Sequence, residues 1–415
     1  MDWARWLRPG DQVVCSHMAS EPVALLQSLA QAEALPPIHL MLGVPFSDAA
    51  LALPAACAVT TYGGMGSGAQ LARRPDAHLS PLAYSRSAAV YAQGLWPVDV
   101  VLVSLARDAQ GRLHLGASHG PALAAARRAR HVLAQVNAQA PCVAGAPWPE
   151  DLPLAAVSEV DHLPAPLREP APTEAEQAIA RHVAALVPDG ACLQVGIGAL
   201  PSATVAALAG HRHLGVHTGM WSDALQALVD RGAVDHSRKT RDAGMAVVGS
   251  VVGSSALYRA VHQHPAVCLR EPDYTHGATV VAAIDDFFSL NSAIEVDLLG
   301  NINAEAVTAP DGRWRHVGGV GGLPDFQRAA QCARRGQAVV ALPSRTPRQQ
   351  PRIVPRLGGP TTVAAPDADV VVTEHGVARL RDASLDQRVR RMLAIAHPDD
   401  RESLQAAAAA LGLLA

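Results

Sequence analysis

The sequence predicts an α/β protein made of two related open α/β domains. Three observations carry that expectation. Strand-like apolar runs alternate with helix-like stretches along the chain. The run VDVVLVS at 98–104 is apolar on both alternating faces, as a strand inside a parallel sheet must be. A proline-rich joint then interrupts the alternation before it resumes.

In order, GDQVVC at 10–15 reads as the first strand, followed by a Ser-Glu-Pro turn and a helix over 22–35. Residues 39–43 read as a second strand and 98–104 as a third, and 121–137 reads as an amphipathic helix. In LPAPLREPAP the four prolines Pro164, Pro166, Pro170 and Pro172 disfavour helix and central strand. The joint is therefore placed at 166–173, between a domain of 1–165 and one of 174–415. Thr173 and Glu176 form a capping-box pattern that starts a helix ending near 186. Strands at 192–195, 214–217, 246–250, 338–342 and 370–373 follow, with a helical run at 325–335.

Composition narrows the partners. A chain of 415 residues that is 49% hydrophobic can bury sizeable cores, and its net charge of −3 offers no field for nucleic acid or an anionic membrane. The N-terminus lacks an uninterrupted apolar stretch and no run reaches membrane-spanning length, which places the chain in the cytoplasm. The six cysteines are scattered without a C-x-x-C pair and read as buried thiols. Lys239, the lone lysine, sits in the polar run DHSRKTRD, where it is expected to lack the desolvation that Schiff-base chemistry needs. His211 and His213 have no third ligand in pattern, so no metal site is expected.

Four stretches are candidates for chemistry. At 192–223 an apolar strand runs into GIGALP, a helix start and a second strand ending HTGMWSD. Gly196 and Gly198 let the backbone turn tightly, and the free N–H groups at a helix start suit anionic or carbonyl oxygens. A third glycine and a downstream acid are missing, so this is no dinucleotide fingerprint. In NSAIEVDLLGNINAE, strand alternation puts Glu295 and Asp297 on one face roughly 7 Å apart, either as an acid/base pair or as a solvated polar face. In HVGGVGGLPDF, Gly318, Gly319, Gly321 and Gly322 form either an amide nest for an oxyanion or a plain surface loop. DVVVTEHGVARL ends a buried strand on Glu374 and His375, a catalytic or a structural pair.

In order and spacing, GIGALP, HTGMWSD, NSAIEVDLLGNINAE, GGVGGLPDF, SRTPRQQPRIVP, VVTEHGVARLR and IAHPDDRESL resemble the acetyl-CoA hydrolase/transferase family, nearest its 4-hydroxybutyrate CoA-transferase branch. The resemblance is dense over 173–405 and looser before. It implies CoA-transferase-type domains with an acyl-CoA site in the cleft between them, and a small carboxylic acid as second substrate. Coenzyme A is then ligand or substrate rather than a covalently bound cofactor, and a homodimer or higher homo-oligomer is implied. It further implies that the Ile197 and Gly322 amides are the oxyanion donors. Gly196, Ile197, Gly198, Ala199, Leu200, Gly318, Gly319, Gly321 and Gly322, with Arg348 as the nearest cation, would contact coenzyme A.

The same resemblance locates a departure. Family members react through a glutamate whose position is Gly219 here, and an asparagine of the family is His276 in DYTHG. Three readings follow. The space left by the missing side chain admits a water activated by His276, giving a thioester hydrolase. The chain holds acyl-CoA without turning it over. Or another glutamate, Glu295 first, has moved into the cleft.

Overall fold

The structure, a computed structural model, describes residues 1–167 and 170–414. Two eight-stranded sheets organise it. In the first, strands run in the order Ala77–Leu79, Cys57–Thr61, Ile38–Gly43, Gln12–Cys15, Val100–Arg107, His131–Asn137 and Ala156–Val160, with Leu113–His114 pairing off the edge of Val100–Arg107. In the second the order is Val267–Leu269, Ala246–Val251, Gly215–Trp221, Cys192–Val195, Phe287–Ser292, Gln337–Ala341, Val370–Thr373 and Gly376–Arg379.

The two orders match. Each sheet starts at an inner strand, adds three neighbours outward on one side, then crosses back to build the other side, and every pairing along both shared paths is parallel. Each sheet therefore has a topological switch point beside its first strand, where loops leaving the carboxyl ends diverge and a crevice opens. In the second sheet the loops at that point follow Cys192–Val195 and Phe287–Ser292.

The halves are joined through backbone. Val251 N–H donates to Ala117 O at 2.7 Å, His119 N–H to Gly249 O at 3.0 Å and Leu269 N–H to Ala144 O at 2.8 Å. The Ser118 and Ser250 hydroxyls meet at 2.5 Å. One apolar cluster runs through both sheets, from Val101 and Val103 to Val216 and Val248. Such a seam fixes the carboxyl ends of one sheet against those of the other.

Several sequence expectations need correction. Residues 121–137 are not one helix: Ala122–Ala126 is a short helix, and His131–Asn137 is a parallel strand with six of its seven residues buried. A strand buried on both faces shows no alternation, so its apolar run is indistinguishable from a helical one by period. The first helix spans Val23–Ala30 and stops short of 35. Cys332 is exposed while the other five thiols are buried. Lys239 is also buried, with its ammonium donating to Val216 O at 3.0 Å and Met245 O at 2.6 Å, and desolvation lowers its pKa. The Thr173 capping box forms as expected and starts helix Glu174–Ala184. Among the described residues no helix is long and apolar enough to cross a membrane.

Candidate active site

A cavity of about 380 Å³ lies where the carboxyl ends of the two sheets face each other. The second sheet contributes Gly196 and Ile197 after its first strand, Gly219 and Met220 from the next, and Asn291 to Ile294 beyond the switch point. Met18, Val44, Tyr62, Met65 and Tyr84 arrive on the loops of the first half. Residues 317–323 close the remaining wall.

Glycine geometry explains how these loops come so close. A Cβ on Gly319 would stand 2.3 Å from Tyr62 O, and one on Gly63 would stand 2.4 Å from Gly318 O. Gly64 N–H donates to Gly318 O at 2.6 Å, and Tyr84 N–H to Gly321 O at 2.9 Å. Three of the four glycines in the GGVGG loop, Gly318, Gly319 and Gly321, thus serve backbone contact between the halves, and Gly322 packs against His276. Gly198 is the N-cap of helix Ala199–Ala207 at φ 121°, a conformation that suits glycine.

At the centre sits His276, 4% exposed. Its ring lies 4.8 Å from that of Tyr84 and 4.6 Å from that of Phe326. A Cβ on Gly322 would meet the ring at 2.3 Å, and one on Gly219 would lie 2.8 Å from Nε2. Two glycines therefore form the slot that an imidazole fills. This overturns one expectation: the room left by the missing side chain at Gly219 is not empty but is taken by His276.

The protonation state follows from hydrogen bonds. Thr275 Oγ1 donates to Glu271 O at 3.2 Å, so its lone pairs face His276 Nδ1 at 2.8 Å. Nδ1 then carries the proton and Nε2 is the bare acceptor directed at Gly219. Burial, with the nearby His217 as a smaller cause, pushes the His276 pKa down to about 3, so the ring is neutral at pH 7. Next to it, His17 Nε2 and the Tyr84 hydroxyl lie 2.9 Å apart, and burial pushes the His17 pKa down to about 4.

The other candidates fall in different places. Glu295 is outside the cavity lining; its Oε1 accepts from Gly358 N at 2.9 Å, Gly359 N at 2.9 Å and Asn303 Nδ2 at 3.0 Å. Asp297 closes a turn by accepting from Leu299 and Asn301. Glu374 accepts from Ser344 N and Oγ. His211 and His213 diverge to Val187 O and Asp235. Of the expected coenzyme contacts, Gly196, Ile197, Gly318, Gly319, Gly321 and Gly322 line the cavity, whereas Gly198, Ala199, Leu200 and the exposed Arg348 do not. The Gly196 amide is committed to Leu290 O at 2.9 Å.

Since Glu295 anchors the Gly358–Gly359 loop, Glu295→Ala is expected to lower stability by about 3 kcal/mol. A urea titration checks this, and ligand binding by the folded fraction should stay within about threefold of wild type.

Sequence reasoning missed the first half's share of the site. The signal was present in CAVTTYGGMGSG, a strand followed by glycines like the one at 192–198.

Comparison with known proteins agrees with this architecture. Residues 253–408 match the family model for the acetyl-CoA hydrolase/transferase C-terminal domain. The 4-hydroxybutyrate coenzyme A transferase of Clostridium kluyveri is 35% identical over 312 residues, covering 74% of this chain and 72% of the relative. The chain belongs to the acetyl-CoA hydrolase/transferase family. Within that family, acetyl-CoA hydrolase of Saccharomyces cerevisiae is 28% identical over 50% of this chain and 38% of its own length. Among solved structures, RipA from Yersinia pestis superposes with a TM-score of 0.91 at 27% identity, covering 98% of this chain and 95% of that one. A 4-hydroxybutyrate CoA-transferase from Porphyromonas gingivalis gives 0.81 at 31% identity, over 97% and 94%. The paired α/β sheets are thus the CoA-transferase type of fold.

Proposed function

We propose that this chain binds an acyl-CoA with its thioester at the switch point of the second sheet and cleaves it with water, not by exchange through a glutamate. One observation carries the reading. Among the described residues lining the cavity there is no carboxylate, and the position matching the family's nucleophile, Gly219, faces His276 Nε2.

The chemistry that fits is short. Water on the cavity side of His276 attacks the carbonyl carbon as Nε2 accepts its proton. The Ile197 and Gly322 amides take the oxyanion, as fixed donors do best in a water-poor site. Collapse breaks the C–S bond, and the imidazolium returns the proton to the leaving thiolate, leaving a carboxylic acid and free coenzyme A. Thr275 keeps Nδ1–H in place and so leaves Nε2 as the acceptor.

The low basicity of His276 supports a second reading, in which the chain holds acyl-CoA without turnover, since a base with a pKa of about 3 draws a proton from water only weakly. Thiol release from butyryl-CoA separates the two. Hydrolysis predicts steady release that falls at least about 100-fold in His276→Ala, with no inflection near pH 6.5 because the ring is already neutral there. Release that survives His276→Ala removes the general base. Tight binding without release establishes the second reading, and a glutamate recovered as its alcohol after borohydride reduction would restore the exchange route.

A further inference from the structure

Resting on the acyl-CoA reading, we infer that the acyl group this cavity takes is uncharged and apolar, and that acyl groups ending in a carboxylate are rejected. Among the described residues that line the cavity none is Asp, Glu, Lys or Arg. A distal carboxylate would lose its water and meet no cation, and an isolated buried charge is among the costliest arrangements in a protein.

The polar side chains present do not replace that cation: the Tyr62 hydroxyl, buried without a partner, and Ser292 are on the wall but carry no charge, and the others are paired. Asn291 Nδ2 is spent on Gln194 Oε1 at 3.0 Å and Ser289 Oγ at 3.1 Å, and its Oδ1 accepts from Gln194 Nε2 at 3.3 Å. The Tyr84 hydroxyl is paired with His17, and His276 Nδ1 with Thr275. The Ile197 and Gly322 amides are the donors assigned above to the thioester oxygen, at the reacting end of the acyl group rather than its tail.

The walls favour a range of hydrocarbon shapes. Met18, Met65 and Met220, three of the seven methionines in the chain, reach the cavity from three separate segments, Met220 from the strand Gly215–Trp221. Methionine is unbranched and polarizable, so it repacks around straight and branched chains with little loss. Specificity here is for absence of charge more than for one length.

Thioethers of coenzyme A, which cannot be cleaved, test this by calorimetry on the intact protein. S-butyl-CoA and S-(3-methylbutyl)-CoA are expected to bind at least about 100-fold tighter than S-(3-carboxypropyl)-CoA. Placing a cation in the half-exposed wall with Met65→Lys is expected to reduce that ratio to about 10-fold or less, mainly by improving the charged ligand. Equal affinity of the neutral and charged thioethers for wild type, with coenzyme A itself bound, overturns this inference and leaves the acyl-CoA site standing. Failure of all thioethers and of coenzyme A to bind overturns both. A ratio unchanged in Met65→Lys would show that charge in the wall does not set the preference.

Discussion

Lowering the pH from 7.5 to 5 is expected to remove most of this protein's stability. Four of the five buried histidines carry most of the effect, and burial lowers the pKa of the fifth, His119, in the same direction. Burial pushes the pKa of His17, His217 and His236 down to about 4 and that of His276 to about 3, from an ordinary value of 6.5. Their hydrogen bonds say why the neutral rings are required. His236 Nδ1 accepts from Val216 N at 3.2 Å, and His217 donates from Nε2 to Thr275 O at 3.0 Å while its Nδ1 is buried without a partner.

The sign follows from proton counts. Between pH 6.5 and 4 the unfolded chain binds protons on these histidines and the folded chain does not, so stability falls as pH falls and levels off below the folded-state values. At pH 5 each ring contributes a loss of about 2 kcal/mol and the four together about 8 kcal/mol, against a total of about 5–15 kcal/mol for a typical protein. Glu21, Asp325 and Asp369 act in the opposite direction, because burial raises their pKa and protonation relieves them. Thermal melts at pH 7.5, 6 and 5 measure the result. A Tm that holds constant over that range would refute it. His236→Asn keeps an acceptor near Val216 N without a titrating ring, and is expected to move the acid transition to lower pH.

The histidines also show what is readable in a sequence. Glycines followed by a helix start lead to 196–197 and 318–322, which line the cavity, because a backbone that must approach a ligand or another backbone needs residues without side chains. Position along a strand works too for Gly219, which lies near the carboxyl end of its strand, where open sheets bind ligands, whereas the strand Phe287–Ser292 goes unread. What escapes is any contact without a spacing rule. Gly219, His276 and Gly322 interlock in space, yet nothing local in HTGM or DYTHG announces that a ring from one fills the slot of the others. The same holds for Lys239, whose polar neighbours in sequence conceal an ammonium folded back under Gly215, where a Cβ would lie 2.4 Å from its Cγ. The strand at His131–Asn137 was hidden for a different reason, the loss of alternation when both faces are buried.

That interlock sets the second large effect. Restoring a carboxylate at the nucleophile's position with Gly219→Glu alone is expected to fail. Its Cβ would lie 2.8 Å from Nε2 and 3.0 Å from Cε1 of His276, and the ring has nowhere to go between Tyr84, Phe326 and Gly322. Overpacking of this kind costs about 1–3 kcal/mol and should appear as a lower Tm without new chemistry. Shortening the obstacle changes the outcome. In Gly219→Glu with His276→Asn, the smaller amide vacates the slot and the carboxylate can attack the thioester carbonyl of butyryl-CoA. Coenzyme A leaves as thiolate, then attacks the glutamyl carbonyl of the resulting anhydride and expels butyrate, so a glutamyl thioester remains on the protein. After borohydride reduction, the peptide carrying position 219 is expected to show the alcohol in the double variant at a level at least about 100-fold above either single variant. Equal labelling of Gly219→Glu alone would mean that His276 yields easily and that its ring is not what keeps the carboxylate out.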